Sequence, residues 1–361
     1  MDNSFAHRSG FATRKNGRVG KWNEHQERLN SKGQGAFLSL SHFPTPPHLC
    51  LNRPVQYTCL GLEIGGTKLQ IVVGDESARI IDRRRFPVDR QQGGAGIRRQ
   101  IESALGGMIP QWQPAAIGVG FGGPVDWRTG RICKSHQIEG WSEFDLGAWL
   151  ASLTQRPVRV ENDANLATLG EALCGAGRGF NPVFYVTLGS GVGGGLVVDG
   201  DVYHGAKPGE AEIGHVRLDR QGTIVEQRCS GWAVDEKIRQ LRTSAPDSLL
   251  WRLASRESGG EAKHLAAAWR ERDPAAQQIL RETAEDLAFG LSHAVHLFHP
   301  EVIVIGGGLS LVGEPLRAAV ERALRGFVME VFAPGPRVCL AGLGEDAVPM
   351  GALQLATQGR L

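Results

Sequence analysis

The chain of 361 residues is long enough for two domains with a core each, and its 41% hydrophobic and 22% charged content is ordinary for a globular protein. A formal net charge of +2 gives no electrostatic reason for a nucleic-acid or anionic-membrane partner, and no apolar run is long enough to span a bilayer. Six cysteines stand singly with no C-x-x-C, which argues against a zinc ribbon or a disulfide framework and fits a reducing, cytoplasmic setting. Residues 1–55 carry Arg, Lys, Asn, Gly and Ser, then Pro44, Pro46 and Pro47, without a sustained apolar period. They read as a disordered or loosely attached arm, with no apolar h-region for a secretory signal and no assigned function.

Compact structure is expected from Gln56. Tyr57–Ile64 and Leu69–Val73 are β-rich runs joined by Gly65-Gly66-Thr67-Lys68, and Arg79–Val88 comes after them as a third strand. A helix over Gly96–Ile109, a strand at Ala116–Phe121 and a helix over Phe144–Leu153 come next. The strand Pro157–Val160 then runs into Asn162-Asp163, and Ala164, Leu166, Ala167, Leu169 and Ala172 recur as one face of a helix. The pattern restarts at Phe184–Leu188, Gly189-Ser190-Gly191, Val192–Val198 and Asp201–His204. Helices dominate from Ala233 to His299, with an apolar stripe along Pro274–Phe298. Glu301–Ile305 is a buried strand ending in Gly306-Gly307-Gly308, and a helix at Pro315–Leu324, a strand at Arg337–Leu340 and a helix from Ala347 finish the chain.

Leu60–Val73 and Tyr185–Val198 echo one another as strand, glycine corner, strand. Two such halves imply two α/β lobes with a cleft between them, residues 56–160 plus 346–361 in one and 161–345 in the other. Glycine corners of this kind suit phosphate, because exposed amides can approach it without a side chain in the way. Gly65-Gly66-Thr67-Lys68 adds a hydroxyl and a cation, and Gly189-Ser190-Gly191 a second amide cradle. Neither has Walker or Rossmann spacing. Glu63 can hold Mg²⁺ through water or stand as a solvated strand-end carboxylate. Asn162-Asp163, at a strand end that opens a helix, either caps that helix or points a carboxylate at a substrate. With two phosphate-friendly turns in the same chain, Asp163 is the candidate general base of a sugar kinase.

The motifs Leu62–Lys68, Gly122-Gly123-Pro124-Val125-Asp126, Glu161-Asn162-Asp163-Ala164-Asn165, Gly189–Gly195 and Gly209–His215 stand in the order found in the ROK (repressor, open reading frame, kinase) family, which the chain resembles from about Tyr57 onward. The resemblance implies the two-lobed actin-like ATPase (ribonuclease H-like) α/β fold with a duplicated β-β-β-α-β-α topology. It also implies phosphorylation of a hexose with ATP and Mg²⁺, and often a homodimer. It implies that Asp163 takes the proton of the sugar hydroxyl while Asn162, Glu212, His215 and Glu226 grip neighbouring ones. Gly122 and Gly123 would line the sugar pocket and Gln137 would sit in the sugar-side loop Ser135–Trp141. Gly65, Gly66, Thr67, Lys68, Gly189, Ser190 and Gly191 would hold phosphates, and Gly306, Gly307 and Gly308 would lie beside the adenosine.

Two positions depart from the family pattern. Glu63 stands where Asp is usual, and the segment after His215 lacks the Cys-x-Cys-Gly-x-x-Gly-Cys cluster, Cys229 being beyond Glu226. No structural zinc is therefore expected. Glucose, phosphorylated at C6, is the first substrate expected. N-acetylmannosamine kinase and fructokinase are the enzymatic alternatives, and a non-catalytic sugar-sensing regulator is the alternative of another class. A repressor would need a winged helix ahead of the body, and the arm has no pair of amphipathic helices.

Overall fold

The computed structural model describes residues 57–358 apart from 136–137, 208, 210 and 257–258, so the arm and Gln137 lie outside the described residues. The first half contains β1 (Cys59–Ile64), β2 (Lys68–Gly74), β3 (Ile80–Pro87), α1 (Gly93–Trp112) and β4 (Ile117–Phe121). A hairpin of β5 (Val125–Asp126) and β6 (Arg131–Ile132) is next, then α2 (Leu146–Thr154), β7 (Val158–Asn162) and α3 (Asp163–Cys174). The second half contains β8 (Val183–Leu188), β9 (Val192–Val198) and β10 (Asp201–Val202). Next come α4 (Val225–Cys229), α5 (Gly231–Ser244), α6 (Leu249–Ala254), α7 (Leu265–Arg270) and α8 (Pro274–Phe298). Then β11 (Val302–Gly306), α9 (Glu314–Leu324), β12 (Arg337–Leu340) and α10 (Ala347–Thr357) complete it.

The two sheets have the same order, β3-β2-β1-β4-β7 and β10-β9-β8-β11-β12. In each, the first three strands form an antiparallel meander and the last two add in parallel. The inner strands β1, β4 and β11 are buried along their whole length, as strands covered by helices on both faces must be. In each half the β-β-β-α-β-α unit read from sequence is followed by a fifth sheet strand and a further helix, with the β5–β6 hairpin inserted in the first half and a run of helices in the second. The additional helix of each half packs on the sheet of the other: α3 covers β8 and β9, and α10 covers β1 and β4.

Glycines allow that exchange. A Cβ on Gly351 of α10 would lie 1.8 Å from the Leu166 carbonyl oxygen, and one on Gly118 of β4 would lie 1.9 Å from that of Ala352. Backbone therefore meets backbone where α3 and α10 cross. At the far end of α3, Glu171 is fully buried, and its carboxylate accepts from the amides of Ala176, Gly342 and Leu343 at 2.8–3.0 Å. Three donors satisfy a charge that would otherwise be expensive to bury. The joint fixes the end of α3 to the start of the chain leading into α10.

Three elements differ from the sequence reading. The helix expected over Gly96–Ile109 starts at Gly93 and continues past Pro110 to Trp112, the proline standing in its last turn. The strand expected over Asp201–His204 ends at Val202, because His204 turns inward to a buried carboxylate. The β5–β6 hairpin was not expected; two-residue strands carry no periodicity. No helix among the described residues is long and apolar enough to cross a membrane.

Candidate active site

The junction of β7 and α3 is built by division of labour between Asn162 and Asp163. Asn162 has extended backbone (φ −63°, ψ 145°), and its Oδ1 accepts from the amides of Ala164 and Asn165 at 2.8 and 3.1 Å. It is therefore the helix cap, which satisfies two of the otherwise unpaired first-turn donors. Its Nδ2 donates to the Gly123 carbonyl at 3.2 Å and keeps a second N–H. Asp163, in the first turn, accepts from the Ala164 amide at 2.9 Å, and its Oδ2 faces Gly122, 3.3 Å from where a Cβ would stand. That same point is 3.7 Å from the Gly65 Cα, so Asp163, Gly122 and the first glycine turn converge. A side chain on Gly122 would close the space in front of the carboxylate.

Asp163 is partly buried, and its carboxyl is pushed from the usual 3.8 up to about 7. Desolvation is the main cause and the negative charge of Glu63 the second; the Ala164 amide and Lys68 oppose them. Glu63, 8% exposed, lies near the end of β1 and opposite Gln70 on β2. Its carboxylate accepts a hydrogen bond from Gln70 Nε2 and pairs with Lys68 Nζ at 3.2 Å. Gln70 is itself buried, and its carbonyl oxygen accepts from Arg83 at 3.4 Å. Two donors thus hold Glu63 as a fixed charge near Asp163.

The second glycine turn reaches the same place from the other sheet. Gly193, just beyond it, leaves room for Ala164, since a Cβ there would lie 3.2 Å from the Ala164 Cβ. Gly231, at the start of α5, donates to the Gly189 carbonyl at 2.7 Å, so the N-terminus of that 14-residue helix abuts the turn. Gly307 (φ +78°) is held against the Leu188 backbone, where a Cβ would come within 2.6 Å, and Gly308 beside it faces open space. Gly189–Gly191, Gly306–Gly308 and the start of α5 therefore form one backbone-lined region.

Beside Gly122, Ser135, Ile138 and Trp141 line a narrow cavity with Ile64, Gly65, Gly66 and Phe121. Trp141 is buried edge-on between Phe121 and Phe144, which anchors the loop. Glu212 and His215 stand on the segment that wraps the free edge of β9, where Gly214 packs on the Val192 backbone. Their side chains are 51% and 68% exposed and pair with each other at 3.4 Å, with no hydrogen bond to Asp163 among the described residues. Glu226 rests against the second turn: its Oε2 accepts from the Val192 amide at 2.9 Å and abuts Gly191. Sequence reasoning missed Gln70, Glu161, His204 and the start of α5. A cavity of about 770 Å³ between α8 and α9 contains none of the candidate residues. Among the described residues, no group of three His, Cys, Asp or Glu side chains is arranged to hold a metal ion. Cys229 is buried, donates to the Thr283 carbonyl, and has its thiol pushed up to about 12 by burial.

Two sheets of identical order, joined by exchanged helices and each presenting a glycine hairpin toward one carboxylate, define the actin-like ATPase fold. The chain belongs to the ROK family, whose model matches residues 59–359. Glucokinase from Thermotoga maritima is 30% identical over 304 residues, 82% of this chain and 96% of that protein. Glucokinase from Streptomyces coelicolor is 32% identical over 314 residues, 83% and 97% of the two chains. The crystal structure of a ROK family glucokinase from Streptomyces griseus in complex with glucose and AMPPNP superposes with a TM-score of 0.73 at 32% identity, covering 84% of this chain and all of that one.

Proposed function

We propose that the protein transfers the γ-phosphoryl group of ATP to a hexose hydroxyl, with glucose as the first substrate and the C6 hydroxyl as acceptor. The observation that carries this reading is Asp163: a carboxylate aimed past Gly122, with its pKa raised to about 7 and a second carboxylate, Glu63, behind it. A base with that pKa is half ionised at neutral pH and matched to taking a hydroxyl proton as phosphoryl transfer proceeds. The acceptor O–H bond breaks toward Asp163, the O–Pγ bond forms, and the bond from Pγ to the bridging oxygen breaks to release ADP. Similarity to proteins named glucokinase, one crystallised with glucose and AMPPNP, supports the substrate and the donor.

The other residues take roles that their positions allow. Gly65, Gly66, Thr67 and Lys68 hold the phosphates with Gly189, Ser190 and Gly191, aided by the α5 N-terminus. Gly306–Gly308 receives the adenosine. Glu63, a hard-oxygen ligand held in place by Lys68 and Gln70, suits Mg²⁺ bound through water. That ion would neutralise charge on the transferring phosphates. Asn162 offers its remaining N–H to a sugar hydroxyl, and Glu212, His215 and Glu226 take the others. Such hydroxyl contacts discriminate hexoses strongly, because a wrong epimer leaves them unpaired. We also propose that 56–160 with 346–361 and 161–345 are the two lobes. ADP release measured across glucose, fructose, mannose and N-acetylmannosamine tests the reading; turnover with glucose is expected, and no turnover with any of them would overturn it.

A further inference from the structure

Away from the reacting atoms, one polar cluster connects the base-bearing helix to the sugar-side segment. Glu161, immediately before Asn162, is 2% exposed. Its Oε1 accepts from the Asn162 amide at 2.9 Å and from Asn165 Nδ2 at 3.0 Å, and its Oε2 meets His204 Nε2 at 2.5 Å. The His204 ring lies on the Trp127 indole, with centroids 4.1 Å apart and planes 16° from parallel. One residue before Trp127, Asp126 pairs with Lys207 Nζ at 2.6 Å. Gly209 (φ +78°) is packed on His204, and a Cβ there would lie 2.9 Å from the His204 carbonyl oxygen. His204 is thus tied to β7 and α3 through Glu161, and with Lys207 to the β5–β6 hairpin through Trp127 and Asp126, while Gly209 packs on His204.

Three residues beyond Gly209 stands Glu212. The segment that carries Glu212 and His215 crosses the free edge of β9, where β10 has already ended, so no strand ladder fixes its approach to the cleft. His204 lies just past the end of β10 and anchors the chain between that strand and Glu212. We infer that His204 is a positioning residue for hexose binding, holding the segment that bears Glu212 and His215 in register with Asn162 and Asp163 through Glu161 and Trp127. The inference rests on the sugar-kinase reading but concerns a group that touches neither sugar nor nucleotide. The cluster has little freedom to relax, because loss of His204 leaves a buried carboxylate one donor short. The displacement is felt where hydroxyls are gripped and not where phosphates are held.

The test compares His204→Ala, His204→Gln and Lys207→Ala with the wild type. Glucose affinity is read by calorimetry without nucleotide, and KM for glucose and for MgATP by ADP release. In His204→Ala the glucose Kd and KM rise about tenfold, as expected when a binding geometry is displaced, while the MgATP KM stays within about twofold. His204→Gln, which keeps a donor for Glu161, recovers most of the loss. Lys207→Ala removes only a half-exposed ion pair and raises the glucose KM about threefold without affecting folding. Equal changes in both KM values, or a lowered thermal midpoint with glucose binding intact in His204→Ala, would overturn the proposal; should His204→Ala not fold, an unchanged glucose KM in Lys207→Ala would do so. Wild-type protein that binds glucose without phosphorylating it would refute the kinase reading alone, and the calorimetry would still decide the role of His204. Wild-type protein that binds no hexose would remove both.

Discussion

Replacing Asp163 with Asn should abolish turnover and stabilise the fold, and the stabilisation should depend on pH. An ordinary aspartate titrates at 3.8, and Asp163 at about 7. A gap of roughly 3 units, at about 1.4 kcal/mol per unit, sets a ceiling near 4 kcal/mol on what the ionised carboxylate costs the native state. Water reaching this partly exposed group reduces that to about 2 kcal/mol. The folded pKa lies above the unfolded one, so between about pH 4 and 7 the native state holds a proton that the unfolded chain has lost. Stability from this group is therefore complete below about pH 4, declines through that window, and is constant above it. Asn keeps the acceptor for the Ala164 amide at 2.9 Å, does not ionise, and escapes the decline. Scanning calorimetry of ligand-free wild type and variant should show thermal midpoints that nearly coincide at pH 4 and separate to about 4 °C at pH 8. In the same preparations kcat should fall about 10²- to 10⁴-fold with glucose binding retained. A midpoint difference that does not change with pH, or turnover that survives, would show that Asp163 is neither desolvated nor the base.

Glu63→Gln removes the second cause of the raised Asp163 pKa, so the acid limb of the kcat/KM profile should move to lower pH even as turnover falls; a limb that stays near pH 7 would mean that the charge of Glu63 does not reach Asp163. Glu226→Gln keeps an acceptor for the Val192 amide while losing the charge offered to the sugar, and should raise the glucose KM about tenfold with little change for MgATP; the reverse split would reassign Glu226 to the phosphate turn. Gly351→Ala places a Cβ 1.8 Å from the Leu166 carbonyl and should cost about 3 kcal/mol, read as a lowered urea midpoint at unchanged slope. Purified protein should carry less than about 0.1 zinc per chain, and EDTA should leave its thermal midpoint unmoved, in contrast to a folded domain held by a structural metal.

Legibility in the sequence depends on how local each cause is. Pro274–Phe298 and Arg337–Leu340 can be read with their true ends, because a proline at the first turn and a short apolar strand are local signals. Asp163 and the three glycine turns are marked locally, by a polar pair where a strand becomes a helix and by glycine where backbone is left bare or packed closely. Gln70 could have been found: with Gly65–Lys68 as the turn of a predicted hairpin, Ile64 lies opposite Leu69 and Glu63 opposite Gln70, and an amide facing a carboxylate across a ladder is a pair waiting to form. His204 could not. Its partner Glu161 is 43 residues away, and the ring that covers it belongs to a hairpin too short to show a period. The same non-locality explains why sequence extends β10 two residues too far, since Tyr203 and His204 have reasonable strand propensity and only a buried carboxylate draws the chain away. The functional residues therefore divide in two. Asp163 and the glycine turns, proposed to act on substrate, sit at ends of strands where sequence marks them, whereas His204 and Glu161, proposed to position the sugar-binding segment, are joined only by folding, and substitutions there should alter hexose affinity before they alter the chemistry.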